Sequence, residues 1–335
     1  MKVKDLYFSA PRQVTIRENR LPNLEDHQVL VKSHCSIISP GTEMLIYRGD
    51  FPKGLTDSID PYTSNLSYPL KFGYANVGRV MELGREVSKT WQDRVVFAFQ
   101  SHGSHFITTP ETLISLPDGC SPESACFLAN METSVNLVQD SAPILGEDVL
   151  VLGQGIVGLL TTALLAEFPL ETLVTTDLYP LRRNHSIALG ASASFDPVDR
   201  EFWKNIGDKL PEGADLTIEL TGSPTTLNDA IALTGYGGRI VVGSWYGERQ
   251  APIDLGGKFH RSRLRIISSQ VSTISGVLSD RWDKSRRFDT AWSALKRIKP
   301  ERWITHRYPI EEAGEAYRML DQSPKECLQI LFEYT

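Results

Sequence analysis

Between an apolar run at residues 149–152 and a helical stretch at 157–168, the chain reads Gly153-Gln-Gly155-Ile-Val-Gly158, and few short patterns restrict a fold as tightly. The first glycine permits a tight turn, the second lets backbone approach a pyrophosphate, and the third lets helix and strand pack closely. A helix beginning there presents unpaired N–H groups and the positive end of its dipole to phosphate. The next apolar run, 173–176, ends at Asp177, near the offset at which a carboxylate accepts hydrogen bonds from an adenosine ribose. These features predict a dinucleotide site and favour NAD. Arg182 and Arg183 keep NADP as the alternative, because an arginine here can meet a 2′-phosphate. The competing reading is three turn glycines and a solvated aspartate. Gln154, Ile156 and Val157 within the motif, and Thr221, Gly222, Gly243 and Ser244 after later apolar runs, complete the set of cofactor candidates.

The alternation of apolar runs with helical stretches continues through 215–220, 225–234, 238–243 and 264–267, the pattern of a doubly wound parallel sheet covered on both faces. The first 130 residues differ: short runs such as 28–32 and 94–98 lie between Pro, Gly and Asn clusters, which reads as β-rich and barrel-like. A polar segment from Gly49 to Gly73 is longer than an ordinary connection and reads as a functional loop. Beyond about residue 270 come helical pieces at 281–298 and 311–320, then a strand-like 328–332 that can return to the first domain. At 335 residues the chain is long enough for two domains.

Composition excludes several classes. A formal charge of −6 supplies no field for a nucleic-acid backbone. Cys35, Cys120, Cys126 and Cys327 form no CxxC pair, so neither a disulfide framework nor a zinc knuckle is expected, and a reducing cytoplasmic setting is. The N-terminal residues carry charges throughout, unlike a secretory signal. Residues 149–166 lack charge over nearly a membrane's thickness, yet the glycines at their centre suit a strand, turn and helix better, so no membrane partner is expected.

Several segments together carry a likeness: Val29-Leu-Val-Lys32, the stretch from Thr42 to Gly49, Gly73-Tyr-Ala-Asn-Val-Gly-Arg-Val80, the glycine motif, Glu219-Leu-Thr-Gly-Ser223, Gly237 to Gly243, and Ile304 to Pro309. With them the chain resembles the medium-chain dehydrogenase/reductase superfamily over nearly its whole length. The resemblance implies an α/β protein with a GroES-like β-rich catalytic domain, 1–130 plus 271–335, and a Rossmann cofactor domain, 131–270. It also implies an NAD(P)-dependent enzyme acting on a small molecule, assembled as a homodimer or homotetramer. Where zinc members carry a cysteine this chain has Pro40, and where they carry Gly-His-Glu it has Gly73-Tyr74-Ala75. The third ligand position falls near Leu128 or Ala129, and the four-cysteine lobe has no counterpart. A catalytic zinc needs three protein ligands, so no zinc is expected. Ser36 to Glu43 and Tyr74 to Gly78 are most similar to a bacteriochlorophyllide hydroxyethyl dehydrogenase-like branch, which implies a specialised biosynthetic substrate.

Without a metal, hydrogen-bond donors must serve the reacting oxygen. By the resemblance, Thr42 is the hydroxyl that passes on the alcohol proton; the alternative is a threonine that ends a turn. Tyr74 stands where a metal-binding histidine would, and its phenol can donate to an oxyanion or simply fill the vacated space. Glu43 is expected to orient Thr42 or pair with an arginine. Glu132 is read either as a buried base or as a carboxylate at a helix start. His102 and His105 are read as structural. The cluster His260 to Arg265 with Arg281, Lys284, Arg286 and Arg287 is a solvated face or a dock for phosphate or carboxylate. The expected reaction interconverts a secondary alcohol and a ketone. Reduction of an activated C=C bond and non-catalytic nucleotide binding are the alternatives.

Overall fold

The computed structural model describes residues 1–51 and 66–335. Most of the Gly49–Gly73 segment therefore lies outside the described residues. The chain divides into two compact units, Met1–Ala129 with Leu295–Thr335, and Asn130–Ala294.

In the first unit β1 (Lys2–Ala10) and β2 (Gln13–Arg20) form an antiparallel hairpin. It is followed by β3 (Val29–Ile37), the helix α1 (Thr42–Arg48), β4 (Asn76–Leu83), β5 (Val95–Ala98), β6 (His105–Thr108), β7 (Leu113–Ser115) and the single turn α2 (Pro122–Ala125). Val29, Val31, Val80, Val96 and Ala98 meet in one buried cluster, as alternation along half-buried strands requires. The helix α3 (Leu128–Ser141) carries the chain into the second unit.

That unit alternates strand and helix: β8 (Asp148–Leu152), α4 (Ile156–Leu165), β9 (Thr172–Thr176), α5 (Pro180–Ala188), β10 (Ala193–Phe195), α6 (Phe202–Lys209), β11 (Ala214–Glu219), α7 (Thr226–Leu233), β12 (Thr234–Val242) and β13 (Arg265–Ser268). The strands form one sheet in the order β10-β9-β8-β11-β12-β13, every neighbouring pair parallel. The order reverses between β8 and β11, and in sheets of this kind ligands bind beyond the carboxyl ends of the strands at that reversal. The apolar stretch at 149–166 resolves into β8, a turn and α4, and no helix among the described residues is long and apolar enough to cross a membrane.

The helix α8 (Lys284–Ile298) begins in the second unit and ends in the first. The second unit thus extends to Ala294, past the 270 boundary expected from sequence. Its hold is the buried Arg287, whose guanidinium reaches Glu132 (3.1 Å) and Asn136 on α3, and the carbonyls of Val271 and Thr273. The rest of the first unit is β14 (Ile304–Pro309), α9 (Ala313–Gln322) and β15 (Gln329–Glu333). β15 pairs with β14 on one side and with Cys35–Ile37 of β3 on the other, completing a sheet in the order β14-β15-β3-β4-β5-β7 with β6 also on β3.

Candidate functional site

The second unit holds the glycine turn as the sequence predicts. Gly153 sits at φ +92°, a backbone region that strains other residues, and a Cβ there would lie 2.7 Å from the Leu220 carbonyl oxygen. At Gly158 a Cβ would lie 2.1 Å from the carbonyl oxygen of Gly153, so the helix can approach its strand only without a side chain. Gly155 is different: it precedes α4 in an extended conformation, and a Cβ there would meet no protein atom within 4 Å. The space is a cradle at a helix start, and its donors suit a diphosphate. A dinucleotide therefore fits the residues present.

The flanking residues hold that turn in place. Gln154 is fully buried; its side chain donates to the Gly153 carbonyl and accepts from Thr162 Oγ1 at 2.9 Å, so it serves to brace the turn. Ile156 is also buried, and Val157 partly so. Asp177 Oδ2 accepts from the Gln154 N–H at 2.8 Å and Oδ1 from the Tyr179 N–H at 2.9 Å, tying the end of β9 to the glycine turn. Arg182 lies over the Tyr179 ring, its centroid 4.8 Å away, with one nitrogen 3.7 Å from Asp177 Oδ2. Arg183 is turned inward to the Asp177 carbonyl and to Asp196, which removes it as a phosphate contact. Beyond β11, Thr221 bonds Glu219, and the Gly222 N–H donates to Ser244 Oγ at 2.9 Å. At Gly243 a Cβ would strike the side chains of Leu137 and Leu220, so close packing calls for a glycine here apart from any cofactor contact. Sequence reasoning missed Tyr246, whose hydroxyl donates to the buried Glu219. The signal available was an acidic residue at the end of a strand whose preceding residues, Leu216 to Ile218, read as buried.

In the first unit Thr42 opens α1 and Tyr74 precedes β4, both partly buried. The Tyr74 hydroxyl donates to Ser39 Oγ and lies 3.5 Å from Thr42 Oγ1, so the two residues that the resemblance singles out lie together, with Ser39 as a third hydroxyl beside them. Glu43 neither orients Thr42 nor meets an arginine. It is fully buried, accepting from the Ser39 N–H at 2.8 Å and the Tyr317 hydroxyl, with His102 Nε2 at 3.0 Å. Ser36 Oγ is 2.7 Å from the other ring nitrogen of His102 and 2.7 Å from the Tyr334 hydroxyl. Burial and the Glu43 charge push the Tyr317 phenol well up. His105 is half-buried and lowered by desolvation.

Glu132 is not at a helix start. It lies a turn inside α3, buried, with Oε1 bonded by Lys284 (2.5 Å) and by Arg287 (3.1 Å). The carboxylate is a tie between α3 and α8, which replaces the expected base. The same pairing sets Lys284 and Arg287 apart from both readings of the basic cluster, a solvated face or a dock for phosphate or carboxylate. Zinc fits poorly. Pro40, Leu128 and Ala129 have no donor side chain, Tyr74 is hydrogen-bonded to Ser39, and no group of three His, Cys, Asp or Glu that could hold a metal occurs among the described residues.

Known proteins resemble this chain throughout. Residues 157–288 match the family model described as zinc-binding dehydrogenase. An alcohol dehydrogenase of Escherichia coli CFT073, solved with NADH, superimposes with a TM-score of 0.79 at 18% identity, over 99% of each chain. The fold is that of the medium-chain dehydrogenases, a GroES-like unit with a Rossmann unit. A zinc-binding dehydrogenase of Sinorhizobium meliloti 1021 bound to NADP shares this medium-chain fold at a TM-score of 0.79 and 18% identity, over 99% of each chain. Among curated relatives, L-galactonate-5-dehydrogenase of E. coli K12 is 24% identical over 93% of both chains. Relatives bearing these names are consistent with an NAD(P)-dependent oxidoreductase. They give the bacteriochlorophyllide likeness no support.

Proposed function

We propose that the chain is an NAD(P)-dependent oxidoreductase that interconverts a secondary alcohol and a ketone without zinc, on a polyhydroxylated substrate. The carrying observation is the open cradle at Gly155, at the start of α4 and beside the strand-order reversal. The named position in L-galactonate-5-dehydrogenase is an internal carbon, and hence a secondary alcohol, which supports that substrate class over an activated C=C bond. Asp177 favours NAD, and the nearby Arg182 leaves room for NADP. The four free cysteines accord with the cytoplasm.

When bound, the dinucleotide exchanges hydride with the substrate carbon. The chain's own part is to manage the proton on the substrate oxygen. Tyr74 Oη, held by Ser39 and within reach of Thr42 Oγ1, is a hydroxyl pair that can donate to a developing alkoxide and take the proton back in reverse. Glu43 fixes the Ser39 backbone from behind, so the phenol's acceptor does not drift. Tyr74→Phe is expected to lower kcat on a sugar-alcohol panel by about 100-fold while NADH affinity stays within about twofold, the usual scale for loss of a positioned acid. Unchanged kcat removes Tyr74 from the chemistry.

A second expectation concerns the metal. Dialysis against a chelator should leave turnover intact, and elemental analysis should find far less than one zinc per chain. Stoichiometric zinc, with activity lost on its removal, overturns the zinc-free reading.

A further inference from the structure

We propose that Glu219, acting through Tyr246, is the positioning residue that fixes the turns on the nicotinamide side of the nucleotide site. Glu219 is the last residue of β11 and fully buried. Its Oε1 accepts from the Thr221 N–H at 2.7 Å and from the Thr221 hydroxyl, and its Oε2 accepts from the Tyr246 hydroxyl at 2.6 Å. These three donors are neutral. A buried carboxyl group whose two oxygens each hold a different segment fixes the spacing of those segments, and stripping a donor from it loosens one of them.

Position in the sheet supplies the role. β11 lies next to β8 at the reversal of strand order, and Asp177, the carboxylate suited to the adenosine ribose, ends β9 on the other side of β8. A dinucleotide spanning the reversal lays its adenosine half toward β9 and its other half over the carboxyl ends of β11 and β12. The two turns there are 220–223 and 243–246. Glu219 joins them directly, with one oxygen on Thr221 and the other on Tyr246, and the Gly222 N–H to Ser244 Oγ bond joins them again. Arg249 adds a bond to the Gly222 carbonyl at 2.9 Å. Burial and the Glu219 charge both push the Tyr246 phenol upward, so it stays a neutral donor at any working pH.

This inference rests on the reading that a dinucleotide binds in the second unit, and fragment binding separates the two. NADH and 5′-AMP are titrated calorimetrically against the full chain, Tyr246→Phe and Glu219→Gln. Tyr246→Phe is expected to weaken NADH about tenfold and leave AMP within about twofold, since one bond to a charged acceptor is lost on one side only. Glu219→Gln keeps the geometry, its amide oxygen accepting from Thr221 and its NH2 donating to Tyr246, and should stay within about threefold of the parent for NADH. Unchanged NADH affinity in Tyr246→Phe, or equal weakening of NADH and AMP, overturns the positioning role alone. A parent chain that binds neither ligand overturns the dinucleotide reading and this inference with it.

Discussion

Gly155→Val should lose NADH binding by at least about 100-fold, close to 2.7 kcal/mol, while the protein stays folded. The cradle at this position is empty of protein: a Cβ would find no atom within 4 Å, so the new side chain projects into the space a pyrophosphate needs and strains nothing else. The extended backbone there suits valine, and the altered helix start costs no more than about 1 kcal/mol, a shift of about 2–4 °C in the thermal midpoint. Gly158→Val makes the contrast. Its Cβ would be forced against the Gly153 carbonyl, so the turn itself must move, and both affinity and thermal stability should fall. Fluorescence titration with NADH alongside thermal melts reads both variants. Parental affinity in Gly155→Val would place the nucleotide elsewhere.

Glu132→Ala should destabilise the second unit by about 3–5 kcal/mol, the usual consequence of stripping one partner from a buried ion pair. Glu132 and Arg287 are both almost fully buried, at 3% and 1% side-chain exposure, and the substitution leaves the guanidinium without its carboxylate. Lys284 matters less: its side chain is 43% exposed, and solvent screens its share. A catalytic base behaves in the opposite way, losing turnover while its midpoint holds. Urea unfolding followed together with activity distinguishes the two, and a midpoint unchanged in Glu132→Ala with turnover abolished would falsify the tie between α3 and α8.

The glycine motif was legible because its chemistry is local: a turn, a close approach and a helix start all fall within six consecutive residues. The position of Asp177 just after β9 was legible for the same reason, since the distance along one βαβ step is nearly fixed. What escaped was long-range. Glu43 finds its partners 59 and 274 residues away, at His102 and Tyr317, and only the return of the C-terminal segment to the first sheet brings the tyrosine there. The basic cluster looked uniform because composition counts charges without depth; Arg287 is interior while Arg281 and Arg286 are exposed. The boundary at Ala294 left no mark, because α8 runs through it as one continuous helix. Gly243 was a cofactor candidate by its place after a strand, and only its neighbours Leu137 and Leu220 reveal that packing calls for a glycine there.

The place of β15 has a bearing on how the polypeptide emerges during translation. Residues Cys35–Ile37 of β3 leave the ribosome early, yet the strand that covers their edge is made almost last. At about 5–20 residues per second, the roughly 290 intervening residues occupy about 15–60 s, during which that edge stands open to intruding strands. Residues 130–294 form an unbroken stretch and can mature on their own schedule. Nascent-chain holding factors would therefore be needed most by the half that is synthesised first.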